Sequence, residues 1–405
     1  MQTVLVVGGG ASGMMAAITA AEDGENRVIL IERQARVGRK LLATGNGCCN
    51  LTNIDLDPSH YFGEDRLFVK PALDYFGLEA TLDFFRSLGL IARTEESGRV
   101  YPYSMQANSV LDILRFALAR PNIELRCETE ALSIKKEGAV FVTETSGGKI
   151  KSDKLIVAAG GAASPKLGGT MSGYRLLEAL GHSRTALFPS LVQVKTDNRF
   201  TKALKGIKTD AKVTVLRGGK ALCTSSGEVL FTEYGLSGPA VFEVSRYAST
   251  GKDLEISLDL MPEYGEEEVA AILFELRISG AGRSCEDFLT GILNKRLGQT
   301  VLKYAEVALS LPVSALKDGQ LYKIARAVKN FSFAVTGTTG FENAQVTAGG
   351  IRTSEFDSRT LESRICPGLF AAGEVLDVDG RCGGYNLQWA WSSGRLAGRL
   401  GNVCN

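Results

Sequence analysis

Gly8, Gly10 and Gly13 stand at G-x-G-x-x-G spacing, and the chemistry this spacing serves is the holding of a dinucleotide pyrophosphate. Gly8 permits a tight turn. Gly10 lets the backbone approach the phosphates, and Gly13 lets a helix pack on the preceding strand. Ala11 and Ser12 fall in the first turn of that helix, whose free N–H groups and positive dipole end suit anions. Glu32, followed by Arg33, lies about where the fingerprint wants an acid to accept the hydroxyls of an adenosine ribose. Without its surroundings the spacing would be only a Gly turn between a strand and a helix. The surroundings are present: an apolar run at 3–7, an Ala-rich helical stretch from Met14 to Asp23, and a second apolar run from Arg27 to Ile31.

Further groups with possible chemistry fall outside this unit. After the second strand comes a glycine, the basic pair Arg39 and Lys40, and a small-residue loop containing Thr44, Gly45 and Asn46. In FAD enzymes this segment crosses the pyrophosphate and reaches the isoalloxazine, and small residues allow that approach. The alternative is an ordinary loop with solvated basic residues. Cys49 in the same loop is a candidate proton donor, because a thiol with its pKa tuned near the working pH is a general acid. Its plainer reading is a small buried hydrophobe. Cys382, before the turn into the last helix, is a second candidate. Glu233, in the polar segment Phe231–Pro239, is a candidate acid or base, against the plainer reading of a packed turn. A buried strand over 154–158 runs into a Gly turn containing Gly160. Gly373 and Glu374 follow another buried strand, where an acid hydrogen-bonds a ribityl chain, with Asp377 in reserve. Asn386, Leu387 and Gln388 open the last helix, Leu387–Leu400, whose N-terminus is expected to face flavin N1 and O2.

The composition limits what these groups can belong to. The chain has 405 residues, 44% hydrophobic and 22% charged, which suits a globular protein with a large core. Lys plus Arg is 46 and Asp plus Glu is 45, so global charge points to neither nucleic acid nor membrane. A local exception is Lys195 to Lys220, with Lys195, Arg199, Lys202, Lys205, Lys208, Lys212, Arg217 and Lys220 against Asp197 and Asp210. Such a strip suits an RNA backbone, although a charge run is more commonly a solvated face. The first strand begins at once, and no run reaches the roughly 18 apolar residues of a bilayer span, so no membrane association is expected. Eight cysteines without framework spacing suggest reduced thiols and a cytoplasmic location. With only His60 and His182, no His-rich metal site is expected.

Along the chain, residues 72–90 and 107–119 read as amphipathic helices and 123–157 as strands. Residues 190–260 read as β structure, with strands at Leu191–Val194, Ala211–Leu216, Glu228–Phe231 and Leu254–Leu258. Residues 262–330 read as helical, and a Gly-rich α/β texture returns near 345. The expected organisation is a first part of an FAD-binding domain over 1–190 and an inserted β-barrel over 191–261. A helical subdomain over 262–330 follows, and 331–405 ends the insert and returns to the FAD-binding domain.

Four segments now resemble a known family. They are Gly8–Gly13 with Glu32; the run from Gly38 to Asn53; Phe231–Pro239; and the run from Gly373 to Gln388. On these the chain is similar to the BaiN/RdsA-type bacterial flavoproteins, the aminoacetone-oxidase-like family. The resemblance implies FAD and an α/β Rossmann-like FAD-binding domain with an inserted β-barrel domain carrying a helical subdomain. Two positions depart from the family pattern: Cys48 stands where Arg is usual, and Glu233 where His is frequent. The expected reaction is hydride transfer through FAD to an electron-poor C=C bond, with NADH or NADPH as a transient donor. The resemblance implies uridine of 23S ribosomal RNA as substrate, giving dihydrouridine, and the strip from Lys195 to Lys220 as its dock. The rival readings are a small-molecule ene reductase or amine oxidase, and a flavin-binding sensor or scaffold without turnover.

Overall fold

The computed structural model describes every residue except 1, 23, 281 and 403–405. The chain divides into two compact units, one made of residues up to Phe188 together with those from Gln345, the other of Pro189–Ala344.

The first unit is built on strand β1, Gln2–Val7. Val4, Leu5 and Val6 are fully buried, as expected of a parallel strand covered on both faces. Helix α1, Ala11–Ala20, follows the Gly turn, and strand β2, Asn26–Ile31, pairs parallel to β1 with Val4 opposite Val28. The helix starts three residues before the expected Met14, because the Ala-rich run lets it begin at the turn itself. Its expected end, Asp23, lies outside the described residues. The sheet has five parallel strands in the order Leu369–Ala371, Lys154–Val157, β1, β2, Ile123–Arg126. A strand from residue 369 thus completes a sheet begun at residue 2. The last helix, Tyr385–Ala397, packs on α1 through small residues: a Cβ at Gly394 would lie 2.4 Å from Ser12 O, and one at Gly398 2.7 Å from Ala16 O. Its two tryptophans are buried, with Trp389 Nε1 donating to Gly373 O and Trp391 Nε1 to Leu51 O.

In the second unit six strands close into a barrel, in the order Val194–Thr196, Gly235–Ser237, Lys220–Phe231, Lys208–Arg217, Leu254–Asp259, Phe331–Thr338. Alternating residues Ala211, Val213 and Val215 point inward, and Lys208, Asp210 and Lys212 outward, which is the period of a half-buried antiparallel strand. Helices Glu266–Ser279, Lys295–Tyr304 and Asp318–Lys329 lie between the fifth and sixth strands in sequence and share one hydrophobic core with the barrel. Two details differ from expectation. A helix, Pro239–Thr250, interrupts the stretch read as β structure: Pro239 at its first turn and buried Val241, Val244, Ser245 and Ala248 give it a helical stripe. The first barrel strand begins at Val194, because Leu191 has φ +50 and cannot continue an extended run.

The architecture is therefore a Rossmann-like α/β domain interrupted by an inserted β-barrel that carries helices. Among the described residues no helix is long and apolar enough to cross a membrane.

Candidate functional site

The Gly turn is tight inside and open outside. A Cβ at Gly13 would lie 1.8 Å from Gly8 O, and one at Gly8 (φ +108) 2.5 Å from Ala158 O. At Gly10 a Cβ would meet nothing within 4 Å. Gly10 is the extended N-cap of α1 and supplies no side-chain cap, so the N–H groups of Ala11 and Ser12 face the open side without a capping oxygen. Glu32 closes β2 beside this turn. Its Oε2 accepts from Gly9 N at 2.8 Å and its Oε1 from Gln34 N at 2.7 Å. Each oxygen keeps a lone pair for a ribose hydroxyl. Glu32, Arg33, Gly8, Thr129 and Gly168 line an open cleft. Arg33 is a brace across it, its guanidinium donating to Gly168 O at 3.0 Å and Gly169 O at 3.4 Å. Gly160 (φ +71) leaves open space beside it. An uncapped helix start, a fixed carboxylate and a cradle that side chains would fill are what a dinucleotide such as FAD needs, so the residues fit that group.

The loop after β2 bends through left-handed residues at Gly38 (φ 76), Gly45 (φ 56), Asn46 (φ 53), Gly47 (φ 88) and Cys49 (φ 60). Thr44 ties it internally, its hydroxyl donating to Leu41 O at 2.6 Å and its carbonyl accepting from Cys49 N at 3.0 Å. Gly45 and Asn46 are exposed. Arg39 is also exposed and donates to Gln34 Oε1 at 2.9 Å. Lys40 reaches across the chain to Glu374, with Nζ 2.7 Å from Oε2. Cys49 is not the tuned acid expected from the sequence. Its side chain has zero exposure, and burial pushes the thiol up to about 12, with a hydrogen bond to Thr44 only partly offsetting this. The sulfur is enclosed by protein and keeps its proton throughout the neutral range, as a packed thiol does.

Gly373 (φ +76) lies against the start of α1, where a Cβ would be 2.5 Å from Ser12 Oγ. Its N–H donates to Ser393 Oγ at 2.9 Å. Glu374 Oε1 accepts from Thr347 N at 2.8 Å, so both of its oxygens are held. Asn386 spends its amide on Gly380 N and O and on Arg381 O, fastening the segment before the helix. Leu387 is half-buried on the first turn. Gln388 is a correction: it is fully buried, and its Nε2, with two hydrogens, lies 2.9 Å from each of Phe76 O, Thr81 Oγ1 and Ser392 Oγ. Its side chain joins helices within the core and does not face a cofactor. Cys382 is half-buried beside Tyr101. Thr347 escaped the sequence reading because Val346-Thr347-Ala348 resembles any short strand. The neighbouring Gly349-Gly350 was its one signal, since a Cβ at Gly349 would lie 2.1 Å from Ala186 O.

Glu233 belongs to the second unit and also departs from expectation as an acid. It is exposed and pairs with Lys205 at 2.7 Å, whose ammonium holds the carboxyl below its usual range. It is ionised at neutral pH and has no proton to give. All eight basic residues of the strip are exposed. Lys205 and Lys208 are neutralised by Glu233 and Glu228, and Arg199 lies over the Phe200 ring.

Residues 2–400 match the family described as HI0933-like protein Rossmann domain. A 3-dehydro-bile acid delta(4,6)-reductase from Clostridium scindens is 42% identical, covering 98% of this chain and 98% of that protein. A ribosomal RNA dihydrouridine synthase from Escherichia coli is 32% identical, covering 96% and 95%. One of the same name from Haemophilus influenzae is 30% identical, covering 96% of each. Among solved structures, a 3-ketosteroid delta1-dehydrogenase from Sterolibacterium denitrificans shares the fold with TM-score 0.50 at 14% identity, over 98% of this chain and 99% of that one.

Proposed function

This chain belongs to the HI0933-like Rossmann-domain family of FAD-dependent oxidoreductases, and we propose that it reduces a C=C bond conjugated to a carbonyl, with uridine of 23S ribosomal RNA as substrate. The relatives' names support the shared chemistry. A dihydrouridine synthase and a delta(4,6)-reductase of a 3-dehydro-bile acid both saturate a C=C bond polarised by a carbonyl. FAD, when bound, supplies two-electron redox chemistry, and the saturated product also takes up one proton.

The chain's own residues bind and orient. The uncapped start of α1 takes the pyrophosphate, and Glu32 accepts the adenosine ribose hydroxyls. Arg33 holds the far wall of the cleft, and the start of the last helix offers its N–H groups, since Gly384 supplies no side-chain cap. NADH or NADPH acts as a transient donor in this reading, because the chain has one G-x-G-x-x-G turn and the 160–173 segment lacks that spacing. Burial and a raised thiol pKa argue against Cys49 as the proton donor, and the ion pair with Lys205 argues against Glu233 as an acid.

The observation that carries the RNA reading is the exposure of the cations Lys195, Lys202, Lys212, Arg217 and Lys220 on the second unit. The test is dihydrouridine in a 23S ribosomal RNA fragment, by mass spectrometry, from cells with and without this gene. Loss of one dihydrouridine is expected, restored by the wild-type gene but not by the triple variant K202E/K212E/R217E. That variant should still take up FAD, and its RNA affinity should fall less steeply with salt, by a slope of about one per lost phosphate contact. Unchanged dihydrouridine would move the assignment to the second reading, a small-molecule enone, which the 42% identical relative favours.

A further inference from the structure

Glu374 is held from three sides before any ligand arrives. Thr347 N–H binds one oxygen at 2.8 Å and Lys40 Nζ the other at 2.7 Å. Gly161 closes the third side, where a Cβ would lie 2.4 Å from Glu374 Oε1. Thr347 Oγ1 in turn accepts from Ala163 N at 3.0 Å. The carboxylate therefore joins the 160–163 turn, the strand Val346–Ala348 and the Gly373–Val375 turn into one fixed body. Lys40 is the group that couples the loop after β2 to that body, across 334 residues of sequence.

The loop needs such a tie. Its ends are fixed, with Gly38 N–H on Gly9 O and Leu51 O accepting from Trp391 Nε1. Between them, Asn46 and Cys49 take left-handed backbone, which Asn tolerates but Cys49 adopts only against strain. The loop packs through Leu41 and Cys49 near its two ends, Asn46 and Gly47 between them are exposed, and the bonds made by Thr44, Cys48 and Cys49 stay within the loop. The pair itself is sheltered, with side-chain exposures of 32% for Lys40 and 18% for Glu374. Screening by solvent and salt is weaker there than at an open surface.

We propose that Lys40 is a positioning residue: through Glu374 it latches the 41–49 loop into its left-handed bend, so that the cofactor meets a loop already formed. One of its three N–H donors goes to the carboxylate, and the proposed effect runs through the loop rather than through a phosphate. The effect on affinity comes from preorganisation, because the ordering cost is met before binding. The inference rests on the FAD reading above.

The experiment compares wild type, K40M and K40R as full chains. Hydrogen exchange of 41–49 is followed in the FAD-stripped protein, and FAD affinity is read by fluorescence titration. In K40M, exchange across 41–49 should quicken about tenfold and FAD affinity should fall about tenfold. K40R should keep both near wild type, because a guanidinium still reaches the carboxylate. E374Q should loosen the same segment, which provides a second variant should K40M not fold. Weakened FAD binding with unchanged exchange would overturn the latch and make Lys40 a direct ligand. No change in either would leave the pair without a role. A wild-type chain that takes up no FAD would defeat the proposed function, while the exchange comparison would still decide the latch.

Discussion

Gly10 and Gly13 belong to one turn and answer to different forces. Gly13 has no room for a methyl group, with a Cβ 1.8 Å from Gly8 O, so Gly13→Ala should force the turn apart and cost roughly 3 kcal/mol or more, seen as a large drop in melting temperature. Gly10 has ordinary extended backbone (φ −77) and open space, so Gly10→Ala should fold with wild-type stability. Its loss should appear only in FAD titration, because the added methyl stands where the pyrophosphate must approach. Equal melting temperatures with equal FAD affinity would remove Gly10 from the binding surface. Cys49 gives the opposite contrast, looking chemical in sequence and being inert in place. Cys49→Ala should lower stability by about 1 kcal/mol through lost packing and leave kcat unchanged between pH 6 and 9. A lost ionisation in the pH–rate profile would return it to the reaction.

At the level of elements, one buried histidine fastens three segments of the first unit. His182 follows the helix Ser172–Ala179, and its ring stacks on Phe356 with centroids 4.6 Å apart. Ser363 Oγ already accepts from the N–H groups of Ile365 and Cys366, so its own hydrogen points to His182 Nε2 at 3.0 Å. That leaves Nδ1–H to donate to Glu355 at 2.9 Å, which assigns the neutral tautomer. Burial holds the imidazole below its ordinary value near 6.5, although Glu355 pulls it the other way. The folded state then binds fewer protons than the unfolded one just below pH 6.5. The network's stabilisation is present above that pH and is lost as pH falls toward the lower folded value. Glu355 is also lowered, since hydrogen bonds from Ser183 and His182 outweigh its burial, and its own loss comes at more acid pH, below about 4.5. Melting temperature should therefore drop more from pH 8 to pH 5.5 in wild type than in His182→Gln, which cannot titrate. Parallel curves would show that the histidine is not the sensor.

For the whole molecule, the informative fact is that the second unit owns its core. The hydrophobic cluster that fills the barrel and coats its helices is drawn entirely from residues between Val194 and Phe333, including Val213, Phe231, Leu258, Leu297, Ile324 and Phe331. A segment with a closed barrel, no open sheet edge among its six strands and a private core meets the conditions for autonomous folding. Residues 189–344 expressed alone should give a cooperative thermal transition and a dispersed amide NMR spectrum, without binding FAD. A molten or unfolded product would mean that the first unit supplies part of its stability.

Read alone, the sequence determined the features whose causes are local. The apolar run of β1, the G-x-G-x-x-G turn, the Ala-rich helix and Glu32 are contiguous. Their reading depends only on dihedral preference, strand and helix periodicity and the absence of a Cβ at three positions. The insertion was legible for the same reason, as a change of periodicity followed by a return. The tertiary structure alone decided everything that depends on which side of an element faces what. Gln388 is one residue from Leu387 yet turns into the core, because a helix start does not reveal its buried face. Glu233 meets Lys205, and Lys40 meets Glu374, through folding that no spacing encodes. Cys49 differs from an exposed thiol only by what packs over it. Burial and ion pairing are properties of neighbours distant in sequence, and they set charge and reactivity, so the site's chemistry is decided in three dimensions while its framework is written along the chain.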